Sequence, residues 1–385
     1  MTYVLFFILV AFALLGDARI FLFVLNRLVF GSHRHEQSPW TFLIWVTPPA
    51  LLALTLLFWP LHGWVDKFVT PWPVLSMVGA GWLFFAAAIG VGWIVRRLHL
   101  LLEGEPPIEG VRTQPPRVIR LRKAHIPFAW VRRLGGHNDL YDLEVTRHEI
   151  FIDDLPPQFD GYRIAFITDT HVASFVRRGF YREIHAQLDA FDPDLILLGG
   201  DFVSFNRHIK LMAEALIADL RARDGVYAIL GNHDYWAGAD EVKEAMGAHG
   251  VQFIINQNVT LTRDGATLPL LGIDELYRGE PDVDAAFAGV SGPTLGVSHH
   301  PDIIDLLDGR RLDLLVCGHT HGGQIRFPFF GAVVVPSRHE GRYASGFHRV
   351  GRVLMYVSRG IGAIPPLRIL CRPELATFVL RRSLR

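Results

Sequence analysis

The 385-residue chain has only two cysteines, Cys317 and Cys371, too few for a disulfide framework and without the CxxC spacing of a structural zinc site. It also lacks an excess of charge of either sign. Lys plus Arg and Asp plus Glu both total 38, so the basic surplus that marks nucleic-acid binding is missing and no nucleic-acid partner is expected. There is no internal repeat and no low-complexity tract, and with half the residues hydrophobic the chain is long enough to bury a sizeable core. Charge is scarcest at the start. Residues 1–95 hold only seven charged side chains (Asp17, Arg19, Arg27, Arg34, Glu36, Asp66 and Lys67), which points to a membrane part followed by a soluble part.

Residues 41–59 are uncharged over the ~20 apolar residues that a helix needs to cross a bilayer. Residues 71–95 repeat the pattern, with Gly79, Gly81, Gly90 and Gly92 available for close helix packing. Before them, apolar runs at 3–15 and 20–30 are each too short to cross alone and are separated by Asp17 and Arg19. They read either as one long tilted span whose charges face other helices or as a re-entrant hairpin; a cleaved signal peptide fits poorly, since no basic segment precedes the run. Arg27 and Arg34 precede the 41–59 segment, Arg96 and Arg97 follow the 71–95 segment, and the loop between has one basic residue, Lys67. This asymmetry predicts a multi-pass protein with everything after Arg96 in the cytoplasm and the bilayer as a partner. From Arg112 to Arg133, seven basic residues and no acidic one alternate with apolar side chains. That stretch suits an anionic leaflet or a solvated linker equally, and Pro115, Pro116 and Pro127 argue against a continuous helix.

After Pro156 and Pro157, apolar strands alternate with amphipathic helices, the pattern of a layered α/β domain. Strands are expected at 162–168, 195–198, 225–230, 251–261, 268–273, 294–298 and 312–317, and helices at 181–191, 209–221, 239–249 and after Pro301. Polar residues gather where strands stop: Asp169, Thr170 and His171; Gly200 and Asp201; Gly231, Asn232, His233 and Asp234; Ser298, His299 and His300; Gly318, His319, Thr320 and His321. Ligands bind at the carboxyl ends of strands in α/β sheets, so these five endings converge on one edge. Carboxylate, amide oxygen and imidazole without thiolate form a donor set for borderline divalent ions such as Mn, Fe, Zn, Co or Ni. Each cluster alone also reads as a turn, a helix cap or a group of satisfied histidines. Five in order, each directly after an apolar strand, point to a metal site.

The series DTH (169–171), GD (200–201), GNHD (231–234), SHHP (298–301) and GHTHGGQ (318–324) resembles the calcineurin-like metallophosphoesterase superfamily over roughly residues 155–380. With SRGIG (358–362) and PE (373–374), it is most similar to a bacterial, often membrane-associated subgroup, which implies a bacterial plasma-membrane setting. The resemblance implies an α/β fold, a two-sheet sandwich flanked by helices in four layers, and the apolar segments at 1–95 predict an N-terminal transmembrane helical region before it. The expected division is residues 1–97 as about three membrane helices, 98–154 as a basic juxtamembrane linker and 155–385 as the phosphoesterase domain. The resemblance also implies two divalent metal ions (Mn, Fe, Zn or similar): Asp169, His171, Asp201 and His321 hold one, and Asp201, Asn232, His299 and His319 the other, with Asp201 bridging. His319 and His321 are expected to point the same way from an extended turn, each toward one ion, and the pattern His-x-Pro selects His299 over His300. Many members carry an Asp three residues beyond GD, where this chain has Ser204; altered surroundings of the site, rather than a lost ion, are expected.

Two divalent ions and two carboxylates leave a charge of about +2 to attract hydroxide and an anionic phosphate. The reaction implied is hydrolysis of a phosphodiester or pyrophosphate in which a hydroxide bridging the ions attacks phosphorus. His233 would protonate the leaving oxygen or bind the phosphoryl group, with Asp234 orienting its imidazole. Apolar clusters near the motifs (Phe175, Val176, Phe180 and Tyr181; Phe327, Pro328, Phe329 and Phe330; 364–367) suit either a core or acyl chains. The membrane setting favours a lipid-linked substrate such as UDP-2,3-diacylglucosamine. The alternatives are a soluble phosphodiester or phosphoprotein, or a membrane sensor that binds metal without turnover.

Overall fold

The computed structural model describes residues 8–17, 20, 81–82, 84–95, 98, 107–121, 138–173, 178–328, 331–332 and 334–383. The chain divides into two units, Met1–Pro106 and Pro107–Arg385.

In the first unit, residues 8–17 and 84–95 are helical, and Val10, Ala13, Ala86 and Ala87 form a small buried cluster. Glycine lets these backbones approach: a Cβ on Gly16 would stand 1.8 Å from the Ala86 carbonyl oxygen, and one on Gly90 would stand 2.2 Å from that of Phe12. Gly81 and Gly92, expected to serve the same packing, face open space, and Gly79 lies outside the described residues. Asp17 is buried and accepts a hydrogen bond from the Trp82 indole at 3.0 Å. Among the described residues no helix is long and apolar enough to cross a membrane. The candidate span 41–59, residues 71–80 of the next, and Arg19 lie outside the described residues.

The second unit contains two sheets. Strands β1 (Val111–Arg120), β2 (Asp142–Ile152), β3 (Arg163–Ile167), β4 (Leu195–Leu198), β5 (Val226–Ala228) and β6 (Val251–Phe253) belong to the first. Strands β7 (Gln257–Arg263), β8 (Ala266–Ile273), β9 (Leu295–Ser298) and β10 (Leu312–Cys317) belong to the second. A small antiparallel pair, β11 (Arg326–Phe327) and β12 (Gly331–Ala332), is followed by β13 (Gly346–Val350) and β14 (Val353–Val357) in the second sheet and by β15 (Glu374–Arg382), which returns to the first. The orders are β1-β2-β15-β3-β4-β5-β6 and β13-β14-β10-β9-β8-β7.

Period-two alternation builds the layers. Ile164 and Phe166 of β3, Leu195 and Leu197 of β4, Leu295 and Val297 of β9, and Leu314 and Val316 of β10 meet in the core between the sheets. Their neighbours in sequence face outward: Ala165, Ile167, Ile196 and Leu198 pack under the helices of the first sheet, and Leu315 and Cys317 under Ile303, Ile304 and Leu307 of the second. Those helices are α1 (Arg178–Phe191), α2 (Ile209–Met212), which continues as a π turn to Ile217, and α3 (Asn232–Gly247). Helix α1 buries Phe180, Tyr181, Ile184, Leu188 and Phe191 along one stripe. The four-layer α/β sandwich is therefore as expected, and Phe180, Tyr181 and Cys317 belong to its core.

Three expectations are corrected. Residues 98–154 are not merely a linker, because β1 and β2 add two strands to the first sheet and β2 lies between β1 and β15. The expected strand 251–261 is two strands in different sheets, separated by a turn with Asn256 at φ 53°. Helix α3 begins at Asn232 rather than 239 and kinks at Gly238, where φ is 118°.

Candidate metal centre

Strands β3, β4 and β5 are mutually parallel, as are β8, β9, β10 and β14, so the loops at their carboxyl ends can meet. The chain turns sharply at these ends. Asp169, His171, Asp201, His319 and His321 all have left-handed backbones, with φ of 52°, 40°, 55°, 67° and 51°, a region that non-glycine residues seldom enter and that Asp and His tolerate better than most. Thr320, between the two histidines, is right-handed helical. His319 and His321 therefore diverge from a tight turn, not from an extended segment, and each joins a different group.

One group comprises Asp169, His171, Asp201 and His321, and the other Asp201, His299 and His319; in each, one potential ligand atom per residue lies within 4.8 Å of the rest. His171 Nε2 and His321 Nε2 are 3.0 Å apart, and His319 Nδ1 is 3.2 Å from His299 Nε2. Asp201 Oδ2 faces both His171 Nε2 at 3.5 Å and His299 Nε2 at 3.3 Å. Asn232 is buried at the start of α3, and its Oδ1 has no hydrogen-bond partner among the described residues; the neighbouring His233 N–H donates to Asp201 Oδ1 at 2.8 Å. Facing ring nitrogens, a shared carboxylate and an orphaned amide oxygen fit a pair of cations.

Contacts behind the donors fix their orientation. The Gly199 carbonyl oxygen lies 2.8 Å from His299 Nδ1 and can only accept, so Nε2 is the nitrogen turned to the site. Ser204 Oγ lies 2.8 Å from His171 Nδ1; the departure noted at this position puts a hydroxyl behind a donor ring. The Asp169 carboxylate accepts from Thr168 Oγ1 at 2.8 Å and from the His319 N–H at 2.9 Å. His300 does not join either group. Its Nδ1 accepts from the Asp302 N–H at 3.1 Å, and its ring packs against Tyr277 and His319.

Burial dominates the protonation chemistry. It lowers His171 to about 3 against the pull of Asp201, and together with neighbouring imidazoles it holds His319 and His321 well below the ordinary range, so these three rings are neutral donors. Burial raises Asp169 to about 7 despite the His299 charge. Burial also works against the Asp201 anion and the His299 cation, yet their mutual attraction wins, holding Asp201 well below the carboxylate range and lifting His299 to about 10.

Asp234 is in the site but not in the expected role. Its carboxylate accepts from the backbone N–H groups of Asp201 at 2.7 Å, Phe202 at 2.8 Å, Val203 at 3.3 Å and Gly231 at 2.9 Å. Both oxygens are thus spent on bracing the two loops, and none of these bonds reaches the His233 imidazole; burial and then the Asp201 charge raise this carboxyl to about 7. The His233 ring instead stands edge-on to His171 and Trp236, with centroids 4.8 and 4.6 Å apart. A residue that sequence reasoning passed over is Arg368, fully buried behind His321. A lone arginine in the apolar run 364–370 gives no motif to find it by. A cavity of about 930 Å³ lined by Arg112, Arg311, Arg349 and Arg352 contains none of the donors, so the site is defined by its donor atoms and not by that cavity.

The two-sheet fold and a nitrogen and oxygen donor set at converging strand ends define a metal-dependent hydrolase. Residues 162–323 match the family described as Calcineurin-like phosphoesterase. The chain is 31% identical over 243 residues to Phosphodiesterase YaeI of Escherichia coli, covering 62% of this chain and 88% of that protein. It is 30% identical over 265 residues to Uncharacterized metallophosphoesterase YkuE of Bacillus subtilis, covering 66% and 90%. It is also 28% identical over 257 residues to Transmembrane protein with metallophosphoesterase domain of Danio rerio, covering 62% and 58%. The chain belongs to the calcineurin-like phosphoesterase family and is a metal-dependent phosphoester hydrolase.

Proposed function

We propose that the chain is a membrane-anchored phosphodiesterase or pyrophosphohydrolase that holds two divalent cations and acts on a lipid-linked substrate. The observation that carries the reaction class is the sharing of Asp201 between two donor groups. Asp169, His171, Asp201 and His321 would hold one cation and Asp201, Asn232, His299 and His319 the other, with Mn, Fe or Zn suited to these donors. When bound, such a pair supplies Lewis acidity toward a phosphoryl oxygen and acidifies water. The chain's own residues orient and bind. Neutral rings at His171, His319 and His321 present lone pairs without first losing a proton, while Ser204 and the Gly199 carbonyl fix the rings of His171 and His299. His233 has a lowered pKa, burial being the main cause. A neutral ring there donates an N–H to a phosphoryl or leaving-group oxygen, which favours phosphoryl binding over a resting imidazolium acid.

Exposed apolar side chains support the lipid-linked part of the reading. Phe205 and Trp236 each stand four residues beyond a donor, and both are about half exposed. Phe327, Ile364 and Leu370 are exposed on segments joined by a Gln324 to Pro365 hydrogen bond of 3.0 Å and a bridge between Ile325 and Ile369. Exposed apolar side chains on segments that also carry site residues suit acyl chains next to a phosphate. The apolar N-terminal segments and the relatives named as transmembrane proteins in Danio rerio and Bos taurus support membrane anchoring. The arginine asymmetry around those segments supports a cytoplasmic catalytic unit, and UDP-2,3-diacylglucosamine is a concrete candidate substrate.

The test is hydrolysis of UDP-2,3-diacylglucosamine in mixed micelles and of bis(p-nitrophenyl) phosphate by the full chain loaded with Mn²⁺ or Zn²⁺, beside Asp201→Asn. Metal-dependent turnover of both is expected, with the lipid nucleotide preferred and a loss on the order of 10²-fold in the variant. Turnover of the diester alone would discard the lipid-linked substrate, and folded, metal-loaded protein inactive on both would overturn the reading.

A further inference from the structure

Arg368 is 0% exposed, yet no carboxylate pairs with it among the described residues. Instead its guanidinium is bonded to main-chain oxygens. Nε donates to the Gly362 carbonyl at 2.9 Å, Nη2 to those of Arg359 at 2.7 Å and Gly360 at 3.2 Å and also to Gly362, and Nη1 to that of His321 at 3.5 Å. Nη2 also lies 3.4 Å from His321 Nδ1. Burying a cation without a counter-charge is costly, and only a rigid planar fork with many partners makes it tolerable.

The groups it holds all lie behind one of the two donor clusters. Gly362 N–H donates to the Asp169 carbonyl at 2.6 Å and Ile361 N–H to that of Thr168 at 3.0 Å. A Cβ on Gly360 would stand 2.6 Å from that of Asp169. Arg359, whose carbonyl Arg368 engages, is itself locked by Glu374 at 3.1 Å and by Glu144 at 2.6 Å. Arg368 thus ties the backbone supporting Asp169 to the turn carrying His321. These are two donors of the Asp169, His171, Asp201 and His321 cluster, and neither belongs to the Asp201, His299 and His319 cluster.

Resting on the two-cation reading above, we infer that Arg368 is a positioning residue for the first of these clusters, so that its loss weakens one cation site selectively. The chemical requirement is the guanidinium fork, which the single ammonium of lysine cannot reproduce.

The experiment titrates metal-free full-length protein with Mn²⁺, counting bound ions by elemental analysis and following the electron paramagnetic resonance spectrum, for wild type, Arg368→Gln and Arg368→Lys. Wild type is expected to take two ions and give a spin-coupled spectrum. Both variants are expected to keep one ion at near wild-type affinity, to bind the second roughly 10- to 100-fold more weakly, and to show an uncoupled spectrum at low loading. If Arg368→Gln does not fold, Arg368→Lys decides. Two ions bound as tightly in the folded variant as in wild type, or an equal loss at both sites, would overturn the role of Arg368. Wild-type protein that takes up no ion would instead overturn the two-cation reading, and this inference with it.

Discussion

Five donors of the site sit in left-handed backbone, each at a cost of roughly 1–3 kcal/mol. His299, by contrast, carries its constraint in charge, since its imidazolium is stabilised by Asp201 at 3.3 Å. The sign of its effect on stability follows from linkage. Its pKa is raised from 6.5 to about 10 in the folded, metal-free protein, so the stabilisation is fully present below 6.5 and is lost as pH rises through about 10. A cation held by His299 would take the place of that proton and remove this dependence. The gap in melting temperature between metal-loaded and chelator-treated protein should therefore widen by several degrees from pH 6.5 to 8.5, and His299→Ala should flatten it. A gap that stays constant or narrows in the wild type would show that His299 holds no proton for the cation to displace.

At the scale of elements, Asp234 joins the first turn of α3 to the loop after β4. Truncating it leaves four backbone N–H groups without their acceptor, at about 1–3 kcal/mol each. Asp234→Ala should therefore cost at least about 3 kcal/mol in chemical denaturation and lower metal affinity, whereas a loss of activity with unchanged stability would return this residue to a direct catalytic role. The converging residues were legible because each follows a short, fully apolar strand: Asp169, His171, Asp201 and His321 form one group and Asp201, His299 and His319 another. The bracing role of Asp234 was not legible, since GNHD reads the same whether the last carboxylate turns to a side chain or to the backbone. Nor was β1. Its Pro115 and Pro116 and its arginines suggest a linker, but the prolines sit in the register shift between Gln114 and Arg117 on an edge strand, where missing N–H groups break no ladder. Arg368 carries no signal at all until the loops it ties together are folded.

For the whole molecule, that edge decides where the catalytic unit begins. Strand β2 pairs with β15 along its full run from Glu374 opposite Glu144 to Arg382 opposite Ile152, and it buries Leu143, Ile150 and Ile152 completely or nearly so. A chain starting at residue 155 would expose β15 as a long apolar edge and forgo the burial of those three side chains, about 5–9 kcal/mol at 1.5–3 kcal/mol each. That is comparable with the ~5–15 kcal/mol by which a whole domain is stable. Residues 107–385 should therefore give soluble protein with one cooperative melt and metal-dependent diesterase activity, whereas residues 155–385 should aggregate or melt without cooperativity. Equal melting temperatures for the two truncations would show that β1 and β2 decorate the sheet without stabilising it. The unit would then begin at residue 155, where the sequence alone places it.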